Sequence, residues 1–151
     1  MALEPMSGDM EKVINFTKEN DWEFGEAEDL DEAKIAFEED FIKYVIYKTL
    51  QGLRFLHHRK IVHRDVKSDN VLYNYKGEIK LADFGFAGAL TVDLPHHTEV
   101  MGTLLYMAPE MCQNKPYDLA VDIWSLGIMC VELAHRMRPH DDEQPFPDDP
   151  I

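Results

Sequence analysis

Cysteine is scarce: Cys112 and Cys130 are the only two in 151 residues. They fall in no metal-binding spacing, which excludes a disulfide-stapled secreted scaffold and leaves free thiols of a reducing, cytoplasmic compartment as the expectation. No apolar run approaches the roughly 20 residues of a membrane-spanning helix. Glu4 and Asp9 interrupt the start, so no secretory leader is read there. Basic residues are also few, 15 Lys and Arg against 29 Asp and Glu, for a formal net charge of -14. That balance argues against a nucleic-acid or anionic-membrane surface. The rest is ordinary for a globular chain, 45% hydrophobic and 29% charged. The length suits one domain, which when compact buries roughly 70% of its unfolded surface.

Against this background one stretch stands out, His63-Arg64-Asp65-Val66-Lys67-Ser68-Asp69-Asn70. Most of its side chains are charged or titratable, and only Val66 is aliphatic. An apolar segment (52–62) precedes it and an alternating one (71–81) follows. A polar run between two such segments marks a loop on a rigid frame, where chemistry sits. Its spacing is H-R-D-x-x-x-x-N. Alone, those letters also spell a charged surface turn. Three further motifs follow in order: Asp83-Phe84-Gly85 after the strand pattern Ile79-Lys80-Leu81, then Ala108-Pro109-Glu110, then Asp122-Ile123-Trp124-Ser125-Leu126-Gly127. With these four motifs the chain resembles a serine/threonine protein kinase of the STE group, PAK-like, from residue 1 to about 139.

The resemblance implies a fold that is mainly α with short β hairpins (α+β), a kinase-like large lobe with the small lobe missing. Residues 1–151 then form a partial kinase domain, running from the hinge to a buried large-lobe helix. A hydroxyl attacking a phosphoryl group must be oriented, and its proton needs an acceptor; Asp65 is the implied acceptor. Lys67 supplies positive charge for the transferring group, and Thr103 contacts Asp65 and Lys67. Asn70 and Asp83 are the implied magnesium ligands, oxygen donors of the kind Mg2+ takes. Arg64 would reach the activation segment, and Asp122 would hold the backbone of the catalytic loop. Residues 1–18 resemble the hinge and the helix after it. Glu4 and Met6 would face the adenine edge of ATP, Asp9 would lie near the ribose and Leu3 would be the gatekeeper; an arbitrary N-terminus is the other reading. Leu72 would pack under adenine, which is compatible with ordinary hairpin core.

The remaining stretches read more plainly. Glu19 to Glu32 carries eight acidic side chains and no basic one, a self-repelling loop (19–32) unless Trp22 and Phe24 dock it. Residues 35–58 carry an apolar stripe, Phe41, Ile42, Val45, Ile46, Thr49, Leu50, Leu53 and Leu56, that predicts a core-facing helix. His57 and His58 at its end read as favourable charge for a helix C-terminus rather than as metal ligands. Gly77 supplies the positive φ of a hairpin turn. Residues 86–107 are loop-like, and His96-His97 reads as solvated. Kinase segments of this kind are often phosphorylated where Glu99 stands, beside Thr98. Either Glu99 partly replaces the phosphate by pairing with Arg64, or it is an exposed acid without a partner. Leu104-Leu105-Tyr106-Met107 departs from the group's usual Pro-(Tyr/Phe)-Trp-Met, so peptide preference does not carry over. Residues 122–137 read as a helix apolar nearly all round, hence buried, with Met129 and Leu133 beneath the nucleotide. The proline-rich, acidic tail (140–151) reads as irregular.

No G-x-G-x-x-G and no V-A-x-K occurs, so neither the loop over the phosphates nor the strand lysine of a kinase is present in this sequence. One lost charge-stabilising group costs about 10²–10³ in rate, and here several are lost together. The function implied is ATP-dependent phosphorylation of a protein serine or threonine, with negligible transfer by this chain alone. The alternative is a non-catalytic kinase-like module that binds a regulatory protein partner.

Overall fold

The computed structural model describes residues 6–19 and 39–136. Its elements run β1 (Gly8–Asp9), α1 (Met10–Glu19), α2 (Glu39–His57), β2 (Ile61–Val62), β3 (Val71–Tyr73), β4 (Ile79–Leu81), β5 (Gly88–Ala89), α3 (Pro109–Cys112) and α4 (Ala120–His135). Short 3-10 turns at Ser68–Asn70 and Leu104–Tyr106 complete the order. Glu4, Leu3, residues 20–32 of the acidic stretch and the tail lie outside the described residues. No helix among the described residues is long and apolar enough to cross a membrane.

Each helix has a local cause. Asp9 accepts from the Lys12 amide at 2.9 Å and from Lys12 Nζ at 2.8 Å, closing the first turn of α1. Burial pushes the Asp9 carboxyl up, but the bonds and charge of Lys12 outweigh it and hold the group below its ordinary value. In α2, Glu39 and Asp40 start the helix and Arg54 and His57 end it, each on the side the helix dipole favours. At α4 the Ala120 amide is capped by Asp118 Oδ1 at 2.9 Å, and Arg136 stops the helix in the left-handed region at φ +54.

Two small antiparallel sheets carry the site. β1, β3 and β4 form the first in that order, with Asp9 opposite Leu72 and Leu72 opposite Lys80. The turn between β3 and β4 uses Gly77 at φ +79. β2 pairs with β5, Ile61 opposite Ala89 and Val62 opposite Gly88. That pair ties the entrance of the loop 63–70 to the exit of Asp83-Phe84-Gly85.

Val45 and Leu53 of α2, Met129 and Leu133 of α4, Met10 and Ile14 of α1, and Val66 and Val71 fill one core cluster. A second gathers Val62, Ala108, Met111, Tyr117 and Val121. Two expectations need correction. α4 runs 120–135 and is not buried all round, since Ile123, Trp124 and Val131 are more than 40% exposed. Leu50 of the α2 stripe is exposed as well, on the side of α2 that meets Ile123 in a shallow groove.

Candidate active site

The loop 63–70 hangs on buried anchors. Val62, His63 and Val66 are fully buried, so the loop's functional atoms project from a fixed backbone. Asp122, itself fully buried, accepts from the His63 amide and from the Arg64 amide, each at 2.9 Å. His57 Nε2 joins the same carboxylate at 2.7 Å. His57 therefore ties α2 to α4 and does not act only as a terminal charge on its helix. Arg64 at φ +68 and Asp83 at φ +57 both adopt the left-handed region. Such residues cost of order 1–3 kcal/mol each and persist where their surroundings over-determine them.

Three residues of the predicted set gather around the carboxylate of a fourth, Asp65. Asn70 Nδ2 donates to the Asp65 carbonyl at 2.8 Å and to Asp65 Oδ2 at 2.9 Å. Thr103 Oγ1 donates to Asp65 Oδ1 at 2.8 Å, and Lys67 Nζ donates to Thr103 Oγ1 at 2.9 Å while standing 3.5 Å from Asp65 Oδ2. An ionised carboxylate accepts about four hydrogen bonds, so Asp65 is oriented by its neighbours with acceptor capacity to spare. Both Asn70 amide protons are spent on Asp65, which leaves Asn70 Oδ1 as an acceptor.

The Ala82 amide donates to the Asn70 carbonyl at 2.9 Å, which sets the backbone just before Asp83 beside Asn70. Asp83 is exposed, and its Oδ1 accepts from the Gly85 amide at 3.1 Å. Phe84 meets the His63 ring edge-on at 5.2 Å, and His63 Nε2 lies 3.0 Å from the Ala82 carbonyl. A concavity of about 560 Å³ between α2 and the β3–β4 hairpin touches this site only through Phe84.

Arg64 reaches the activation segment. Its Nε donates to the Phe86 carbonyl at 2.5 Å, its Nη1 to the Tyr117 hydroxyl at 3.4 Å, and Nη1 lies 3.6 Å from Glu99 Oε2. Glu99 is thus not an acid without a partner. Its own backbone amide, then the Thr98 amide and the charges of His97 and Arg64, hold its carboxyl below the ordinary value against partial desolvation. Thr98 is exposed beside it. His97 corrects the expectation of a solvated pair: it is buried, because its backbone bridges to Tyr117 in both directions, at 3.0 and 2.9 Å. His96 is exposed.

At the N-terminal end, Asp9 stands opposite Leu72 of β3, whereas the Ser7 amide donates to the Tyr73 carbonyl at 2.7 Å and Met6 precedes that pairing, away from Leu72. Both Asp9 oxygens are engaged by Lys12. Further contacts that hold the site are announced by no linear spacing. Tyr106 donates to the buried Glu132 at 2.5 Å and lies 3.4 Å from Ser68 Oγ. Ser125 Oγ donates to the Tyr106 carbonyl at 2.7 Å. These contacts join the Leu104–Tyr106 turn to α4. Ser125 belongs to the α4 motif, but nothing in the linear spacing points it at Tyr106.

The fold is that of a kinase-like large lobe, and the similarity to known proteins agrees with it. Residues 12–147 match the protein kinase domain, and the chain belongs to that family. Within it the similarity runs to the PAK type. The serine/threonine-protein kinase SKM1 of Saccharomyces cerevisiae is 46% identical over 108 residues, 72% of this chain and 16% of that protein. The serine/threonine-protein kinase shk1/pak1 of Schizosaccharomyces pombe is 44% identical over 105 residues, 70% of this chain and 16% of that protein. The serine/threonine-protein kinase pakB of Dictyostelium discoideum is 46% identical over 99 residues, 66% of this chain and 12% of that protein. The chain spans less than a fifth of the length of each of these relatives.

Proposed function

We propose that this chain carries the base and metal-binding half of a cytoplasmic, ATP-dependent protein kinase acting on serine or threonine. The observation that carries the reading is the Asp65 carboxylate, held by Asn70 and Thr103 and faced by Lys67. Asp65 accepts the proton of the substrate hydroxyl as that oxygen attacks the γ-phosphorus. Lys67 lies beside the developing charge, and Thr103 fixes the distance between the two. Asn70 Oδ1 and the Asp83 carboxylate fit a magnesium ion, which takes hard oxygen donors and is held by few protein groups when phosphates supply the rest. No cluster of three His, Cys, Asp or Glu occurs among the described residues, which suits that arrangement better than an all-protein metal cage. When bound, the metal neutralises charge on the phosphates. Met6, Asp9, Leu72 and Glu4 are the residues proposed to border the nucleotide.

The test separates parts from whole. With magnesium and ATP, the 151-residue chain is expected to transfer phosphate no faster than its Asp65→Asn variant. Joined in frame to a lobe that bears a glycine-rich loop and a strand lysine, it is expected to gain at least ~10² in rate over the matching Asp65→Asn control. Failure to exceed that control would defeat the kinase reading and favour a partner-binding module. Turnover by the short chain above its own control would instead refute the need for a second lobe.

Glu99 belongs to the same reading as a built-in anion at the place of an activating phosphate. In the joined, active form, Glu99→Ala is expected to lower kcat several-fold with no addition of phosphate needed in the parent. Unchanged kcat would show that the ion pair with Arg64 does not support activity.

A further inference from the structure

His97 is a polar side chain placed where a loop residue has no need of one. It is 6% exposed, and its Nε2 is a buried atom with no hydrogen-bond partner among the described residues. Its backbone is pinned by the two-way bridge to Tyr117, and the two rings lie 5.9 Å apart. Nδ1 faces Glu99 Oε2 at 3.6 Å. The other edge of the ring looks toward Arg64. A Cβ built on Gly88 would sit 2.7 Å from His97 Nε2 and 2.9 Å from the Arg64 guanidinium carbon. Imidazole edge and guanidinium are therefore neighbours across a glycine that leaves them room.

We propose that His97 is a proton-sensitive latch on the activation segment, closed as a neutral ring and released when protonated. The proposal rests on the Glu99–Arg64 reading above. With its hydrogen on Nδ1, the neutral ring points a donor at the Glu99 carboxylate and a lone pair toward the Arg64 guanidinium. Nδ1 then faces an acceptor, and Nε2 carries no buried proton that would need one. The incoming proton binds Nε2, the atom without an acceptor, and sets a second cation beside Arg64, against the pull of Glu99 on the Nδ1 edge 3.6 Å away. A buried donor is then left unpaired, and the bridge to Tyr117 is the contact that opens. The titratable groups on His97 among the described residues are Arg64 from the catalytic loop, Glu99 from its own segment and the Tyr117 phenol from the stretch before α4. Glu99 is held below the ordinary carboxylate value, so it stays ionised where histidine ordinarily titrates, near pH ~6.5. The His57–Asp122 pair also contains a histidine and bonds the Arg64 amide, so the test must separate the two.

The readout is hydrogen exchange at the His97 and Tyr117 amides of the 151-residue chain, corrected for intrinsic rate, with the His97 ring followed by NMR. Between about pH 7.5 and about pH 5.5, protection is expected to fall at least roughly tenfold as the ring gains its proton. His97→Gln keeps a donor for Glu99 but takes no proton, and its profile is expected to be flat. A flat profile in the parent chain overturns the latch. So does an equal fall in His97→Gln, which would assign the effect to His57. Should His97→Gln not fold, the ring signal decides: protection lost without ring protonation overturns the latch. Glu99→Gln at pH ~7.5 keeps the two readings apart. Protection lost there beside a flat parent profile sinks the latch alone, whereas unchanged protection sinks the Glu99–Arg64 reading and the latch with it.

Discussion

Gly102 has no side chain, yet it sets how close the activation segment comes to the catalytic loop. Its φ is +108, and a Cβ there would stand 2.2 Å from the Arg64 carbonyl oxygen. Gly77 is the natural control: its φ is +79, and nothing lies within 4 Å of a Cβ. Gly77→Ala is expected to cost about 1–3 kcal/mol from backbone conformation alone. Gly102→Ala carries a backbone clash as well and is expected to cost clearly more in urea denaturation. Equal losses would mean that the segment can retreat from Arg64 at no cost. At this scale the motif was legible where chemistry demands a residue type at a set spacing, as with Asp65, Lys67, Asn70 and Thr103. It was silent where a fold-distant group decides the environment. His97 reads as polar loop until Tyr117 covers it. Nothing in the spacing of Tyr106 and Glu132 announces their bond, and His57 looked like a terminal charge because its partner, Asp122, lies on another helix.

α2 and α4 show what periodicity can and cannot tell about an element. The three-and-four spacing located α2, and Val45, Thr49, Leu53 and Leu56 do face inward. Leu50 falls in the same stripe but opens to solvent, because a stripe gives direction and not the number of neighbours on that side. α4 was read as apolar nearly all round, but among the described residues only the face of Val121, Leu126, Met129 and Leu133, with the bonded Asp122, Ser125 and Glu132, is covered. The two faces should therefore answer differently to mutation. Leu133→Ala removes a fully buried side chain and is expected to cost about 2–5 kcal/mol. Val131→Ala, two residues away and 41% exposed, is expected to stay within about 0.5 kcal/mol. Comparable losses at both positions, measured by denaturant midpoint and slope, would show that the outer face of α4 is buried in solution.

For the molecule as a whole, two opposing terms set whether copies stay apart. Phe55 of α2 and Ile123, Trp124 and Val131 of α4 are large apolar side chains between 41% and 58% exposed, and exposed apolar surface favours association. The formal charge of -14 opposes it, since every copy repels every other. The repulsion acts over a Debye length of about 10 Å at 0.1 M salt and about 3 Å at 1 M, whereas apolar contact is not screened. Raising sodium chloride from about 0.05 M to about 0.5 M should thus shift the balance toward association, seen as a rise in light scattering at constant protein concentration. Ile123→Gln with Val131→Gln removes part of the attraction and leaves the charge intact, so the rise should shrink in that variant while its unfolding midpoint stays close to the parent's. Scattering that falls with salt would mean that charge pairing between copies, and not apolar surface, brings them together.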